Sequence, residues 1–211
     1  MNIETFDLII RQLTNFWPIC DSEKESIYSE LDACLEQFFR IATVSSNKYF
    51  KNIEGTPKFS PYHSDQYAML LYIIARNLFH SNQQLSEKLY YLNKVLHSID
   101  VYPAVKLPSY FLLFHPVGAV LGRAEFNNYL TISQNCVVGN NKGLYPVIGS
   151  YVSLMAHSMV LGNSEIGNNC IISAGSIVKD QNVPANSIVF GISPNLIIKP
   201  NKLRNQYWIN E

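Results

Sequence analysis

Residues 148–178 read IGSYVSLMAHSMVLGNSEIGNNCIISAGSIV, and a step of six runs through them. Ile148, Leu154, Val160, Ile166, Ile172 and Val178 are consecutive aliphatics at that step. Four residues after each of the first five stand Val152, Ser158, Ser164, Cys170 and Ser176, all small or β-branched. An aliphatic followed four places on by a small residue is the hexapeptide pattern of a parallel β-helix. Each face of a triangular coil takes six residues: the aliphatic points into the narrow interior, and the small residue lets the chain turn the corner. Three faces make a coil of about 18 residues, and stacked coils bury one continuous core. A meandering β-sandwich would show period two instead.

The step continues upstream in other registers. Val120, Phe126, Ile132 and Val138 form one set, and Val101, Leu107 and Leu113 another. The registers break at residues 114–119 and 139–147, where a bulge or protruding loop is required; Asn140-Asn141-Lys142-Gly143 is a loop of that kind. Before residue 100 the spacing is helical. Phe6, Ile9, Ile10 and Leu13 share one face, Ile27, Leu31, Leu35, Phe38 and Phe39 another, and Pro18 separates them. Helices are expected over about 64–80 and 85–98, with Asn82 as a cap. The expected organisation is an α-helical domain over 1–99, a left-handed parallel β-helix over 100–195, and a C-terminal tail over 196–211.

Composition narrows the function. The formal net charge is zero, which leaves no electrostatic footprint for nucleic acid. The longest apolar runs, such as 68–75, are too short to span a bilayer, so no membrane span is expected. Cys20, Cys34, Cys136 and Cys170 are scattered without metal-ligand spacing, and the start MNIETFDLII has no basic segment. These features are those expected of reduced thiols in a cytoplasmic protein, with no metal site. Nucleotide-binding and zinc-hydrolase motifs are lacking.

The segment 100–200 resembles the serine acetyltransferase branch of the hexapeptide acyltransferases. The resemblance lies in DVYPAVKLPSYFLLFHPVGAVLG, LTISQNCVVGN, YPVIGSYVSLMAHSMVLGNSEIGNNCIISAGSIVKDQNVP and FGISPNLIIKP. It implies an acetyl-CoA-dependent O-acetyltransferase with His115 as catalytic base and Asp100, 15 residues earlier, as its partner. The chemistry agrees: a neutral imidazole takes the hydroxyl proton near pH 7, and a carboxylate fixes its tautomer. On a coil of about 18 residues, that separation plus a short bulge is expected to bring the two side chains together. Backbone N–H groups near Gly118 are expected to hold the oxyanion.

The resemblance also implies contacts to both substrates. Gly139, Ala156, Ala174 and Gly175 match small positions along the coenzyme groove, and Lys179, Lys199 and Lys202 are placed to meet phosphates. Asp65, in PYHSDQY, is the counterpart of an acidic acceptor contact; apart from the resemblance, Gln134 and Tyr145 are candidates to hold the acceptor, and Lys142, on the protruding loop, is placed to reach an anionic one. His63 and His157 are weaker candidates beside plain structural roles. A groove shared between β-helices implies a homotrimer, or a hexamer if the helical halves pair.

The chain departs from that branch at Phe114, where the branch carries Asp, and at Leu144-Tyr145, where it carries Arg-His. Apolar residues there cannot pair with a zwitterion. The expected acceptor is therefore a sugar hydroxyl of a surface polysaccharide, with serine as the alternative. A non-catalytic scaffold is the rival of another class. A carbonic anhydrase-like metal enzyme is disfavoured, since only His115 and His157 fall in the β-helix.

Overall fold

The structure, a computed structural model, describes residues 3–202 and 206–209. Four helices come first: α1 (Ile3–Phe16), α2 (Asp21–Val44), α3 (Ser64–Leu78) and α4 (Gln83–His97). Of the apolar faces read from the sequence, Ile9, Leu13, Ile27, Leu31 and Phe38 are wholly enclosed, whereas Phe39 is 36% exposed. Asn82 caps α4, its side chain accepting from Leu85 N at 3.1 Å. α3 is the central helix, and every residue from Asp65 to Ala75 is buried. No described helix is long and apolar enough to cross a membrane.

The remainder is a left-handed parallel β-helix of three sheets. The first sheet stacks β1 (Phe111–Leu113), β4 (Leu130–Ile132), β7 (Ser153–Leu154), β10 (Ile171–Ile172) and β12 (Ser187–Phe190) in parallel. The second stacks β2 (Val120–Leu121), β5 (Val137–Gly139), β8 (Met159–Leu161) and β11 (Ile177–Lys179). The third stacks β3 (Glu125–Phe126), β6 (Val147–Ile148) and β9 (Glu165–Ile166). A last strand, β13 (Ile197–Pro200), turns back antiparallel onto β12. Ser153, Met159 and Val147 pair with Ile171, Ile177 and Glu165, each 18 residues on, as the period requires.

The six aliphatics of the repeat, from Ile148 to Val178, are at most 1% exposed, and the small residues beside them are buried at the corners. The turns use a left-handed backbone. Tyr129, Tyr151, Asn169 and Asn186 hold φ between 55° and 66° along one edge, and Asn135, His157 and Gly175 hold φ between 55° and 73° along another. Each N–H at these positions donates to a carbonyl of the coil before, as in Tyr151 to Asn128, His157 to Gln134 and Gly175 to Ala156. A non-glycine residue in this region costs about 1–2 kcal/mol. Asparagine lowers that cost through its short polar side chain, and the inter-coil bond offsets the rest.

One expectation about register is corrected. Val120 was assigned to the interior but is 43% exposed, and Leu121 (2%) takes the inward place. Leu121 pairs with the inward Val138 and stands five residues, not the regular six, before Phe126, which pairs with the inward Ile148; a slip of one exchanges the two faces of a strand.

The two halves are stitched together by Tyr72 of α3. Its hydroxyl donates to Val105 O and accepts from Leu107 N, both at 2.8 Å, and its ring meets Phe111 edge-on at 5.5 Å. Because the coils share one interior, a cavity in one is felt by its neighbours. Truncating Ile172 to Ala is therefore expected to destabilise the protein by about 2–5 kcal/mol, measured by urea unfolding monitored by circular dichroism. A change under about 0.5 kcal/mol, typical of a surface position, would contradict the packing described.

Candidate active site

His115 sits in the insertion between β1 and β2, exposed, with φ 47°. At the other corners of this edge, left-handed residues donate their N–H to the coil before. His115 lies near the start of the β-helix and outside that ladder. Its N–H donates instead to Oδ1 of Asp65, 3.1 Å away and 50 residues earlier in the chain. Asp65 lies in the first turn of α3, where the helix dipole favours a negative charge. It is 2% exposed, and the Ser64 hydroxyl donates to the same oxygen at 3.4 Å. Asp65, expected as an acceptor contact, thus lies beside His115. The contact is to backbone, however, and the carboxylate is enclosed.

The expected Asp100–His115 pair is not formed. Asp100 Oδ1 accepts from the Tyr90 hydroxyl at 2.7 Å, and Oδ2 accepts from Lys94 Nζ at 2.6 Å. Burial pushes the Asp100 carboxyl up, but the Lys94 and Tyr90 hydrogen bonds outweigh it and hold the group below the usual carboxylate range. The reason lies in the coil. The insertion lengthens it, so that Asp100 stacks under Val120, 20 residues on, and faces α4. The N–H groups near Gly118, expected to hold the oxyanion, are engaged within the chain: those of Val117, Gly118 and Ala119 donate to His115 O, Ser98 O and Pro116 O. Gly118 is needed for another reason: φ is +74°, and a Cβ would collide with the Asn135 side chain.

The other expected residues fall on two edges. The corner between the first and second sheets carries His115, Gln134, Ala156, His157, Ala174 and Gly175 in successive coils, with Gln134 O accepting from His157 N. A Cβ added at Gly175 meets nothing within 4 Å, so this edge is open. Gly139, Lys142, Tyr145 and Lys179 lie at the corner between the second and third sheets. There Lys142 (φ 52°) and Gly143 (φ 82°) form the tip of a tight turn closed by reciprocal Asn141–Leu144 hydrogen bonds of 3.0 Å. Asn141 Nδ2 donates to Asp180 Oδ2 and ties the loop to a later coil. The second sheet separates these two groups within one chain. Lys199 is on neither edge; it lies on β13 with Nζ 5.5 Å from the centre of the Phe190 ring. Lys202 is exposed just beyond β13. His63 precedes α3 without a side-chain cap bond. Among the described residues no cluster of His, Cys, Asp or Glu is suited to a metal ion, and all four cysteines are free.

Two features gave no signal in the sequence. Tyr207, in the expected tail, packs its ring 5.1 Å from Phe114 beside His115. His97 is buried behind Asp65, with Nδ1 2.8 Å from Asn93 Oδ1. Asn93 donates its own amide to Ala68 O, so its Oδ1 faces His97 and the histidine is the donor.

Comparison with known proteins agrees with this architecture. Residues 145–180 match the family described as bacterial transferase hexapeptide (six repeats). A serine acetyltransferase of Buchnera aphidicola is 33% identical over 115 residues, which are 52% of this chain and 43% of the relative. The chain carries hexapeptide repeats over residues 145–180, and over about half its length it is similar in sequence to serine acetyltransferases. It spans less than half the length of that Buchnera relative. Among solved structures, the serine acetyltransferase of Vibrio cholerae superposes with a TM-score of 0.71 at 21% identity, covering 88% of this chain and 72% of that one. A serine acetyltransferase in complex with CoA gives 0.67 at 22% identity, covering 84% and 74%. At these identities the structures speak for the fold.

Burial lowers the His97 pKa to about 4, so the folded protein keeps it neutral where the unfolded chain would protonate it. The unfolded state binds the extra proton, so stability is full above pH 6.5 and falls towards pH 4, by about 3 kcal/mol at most. His97→Gln is expected to lose less stability than the parent across that window in pH-resolved urea unfolding. Parallel curves for the two proteins would show that His97 contributes nothing to acid sensitivity.

Proposed function

We propose that this chain is an acetyl-CoA-dependent O-acetyltransferase in which His115 is the general base. The observation that carries the reading is an exposed histidine, held in a left-handed backbone by Asp65, at the break in a hexapeptide β-helix. His115 takes the acceptor's hydroxyl proton as the oxygen attacks the thioester carbonyl. Collapse of the tetrahedral adduct expels the thiolate of CoA, and the imidazolium returns the proton to it. Gln134 is one coil along the same edge and is the residue nearest in placement to hold the acceptor. The small residues Ala156, Ala174 and Gly175 leave room for the pantetheine arm.

Lys142 and Tyr145 belong to another edge of the β-helix, as does Lys179. A site that uses them together with His115 takes the two edges from different copies, which supports the homotrimer. The related serine acetyltransferases support serine as acceptor better than a polysaccharide sugar. One observation favours a second reading: Phe114, Leu144 and Tyr145 offer no charge to a zwitterion, which suits a neutral hydroxyl compound.

His115→Ala is expected to lower kcat for acetyl transfer by about 10²–10⁴-fold. Asp100→Asn is expected to lower it by no more than about tenfold, because partners in a half-exposed ion pair contribute roughly 0–1 kcal/mol. CoA release followed with a thiol reagent, with serine and neutral sugars as acceptors, decides both. Retention of most activity by His115→Ala would remove the base. A loss in Asp100→Asn equal to that in His115→Ala would restore the dyad.

A further inference from the structure

The C-terminal segment 206–209 runs from the helical half onto the first sheet of the β-helix. Ser46 N donates to Tyr207 O at 3.0 Å, Ile209 N donates to Val44 O at 2.7 Å, and Ser45 pairs with Trp208 as an antiparallel bridge. Trp208 is 3% exposed, and its Nε1 donates to Thr131 Oγ1 at 3.1 Å. Thr131 lies between Leu130 and Ile132 of β4, both wholly buried, and alternation turns it outward. It is nonetheless only 1% exposed, because Trp208 covers it.

Tyr207 lies at the side of this sheet nearest His115. Its ring packs against Phe114, and its hydroxyl reaches Met155 Sδ at 3.8 Å. Phe114 belongs to the coil of His115, Met155 to the coil of His157, and Gln134 to the coil between them. Tyr207 therefore runs alongside the edge that carries His115, Gln134 and His157. The wall it builds with Phe114 consists of two aromatic rings and carries no charge. Asp65, the carboxylate bonded to the His115 N–H, is enclosed and already accepts two hydrogen bonds. An ammonium group against that wall would lose its water without gaining a partner, whereas the C–H face of a ring or alkyl skeleton would gain contact with the aromatic surfaces.

We propose that the 206–209 segment is one wall of the acceptor site, and that Phe114 and Tyr207 select a hydroxyl borne on an uncharged skeleton. The inference rests on the reading of His115 as base in an O-acetyltransferase. Steady-state kinetics of the full chain with acetyl-CoA tests it, using a panel of neutral pyranoses such as N-acetylglucosamine against L-serine. At least one pyranose is expected to exceed L-serine in kcat/KM. Tyr207→Ala is expected to raise the KM of that acceptor by about tenfold, the equivalent of one good aromatic contact, while leaving the KM of acetyl-CoA in place. Tyr207→Phe, which keeps the ring, brings the acceptor KM back towards the parent value. Phe114→Asp is expected to shift the preference towards L-serine. A parent enzyme that prefers L-serine, or a Tyr207→Ala variant with an unchanged acceptor KM, overturns the proposal and leaves the transferase reading standing. Absence of acetyl transfer to every acceptor removes both.

Discussion

The structure depends on closing a triangular coil every 18 residues, and the closure rests on a strained backbone. Most corners place a residue in the left-handed region, and the N–H so presented meets a carbonyl of the coil before. The strain is local, but the bond that offsets it is shared between coils, so no coil is stable without its neighbours. The interior accepts only aliphatics of limited size, and the corners accept small side chains. The same constraint specifies the core and the open edges where ligands can lie.

At the first of the two breaks in the rhythm, chemistry is exposed. The insertion at 114–119 lifts His115 out of the ladder, and a carboxylate from α3 satisfies the N–H that no coil can reach. The helical half thus supplies a ligand to the backbone of the candidate base. The second break, at 140–146, is built differently: a tight turn at Lys142-Gly143 tied by Asn141 to Asp180. It stands on another edge of the β-helix, across the second sheet from the first break.

Much of this was legible in advance. Ile148 to Val178 announced the β-helix because each residue of the repeat answers to a local rule, inward or corner, whatever the rest of the chain does. Asp65 was legible as a neighbour of His115 only through resemblance. Asp100 was misread because its partner was inferred from a nominal coil of 18, whereas the insertion lengthens that coil to 20 and turns the carboxylate to Lys94 and Tyr90. Val120 differs because the step from Leu121 to Phe126 is five rather than six, a register slip of one.

The sequence by itself determined the repeat, its core, its edges and the residue types that stand on them, since a periodic pattern states its own geometry. Only the tertiary structure decided which polar group meets which. The Asp65–His115 contact spans 50 residues, and Tyr207 meets Phe114 from the far end of the chain. Such pairings depend on how four helices and a short C-terminal segment dock against the coils. Docking of that kind follows from the fit of whole surfaces, and one isolated aspartate or tyrosine leaves no period from which it can be read.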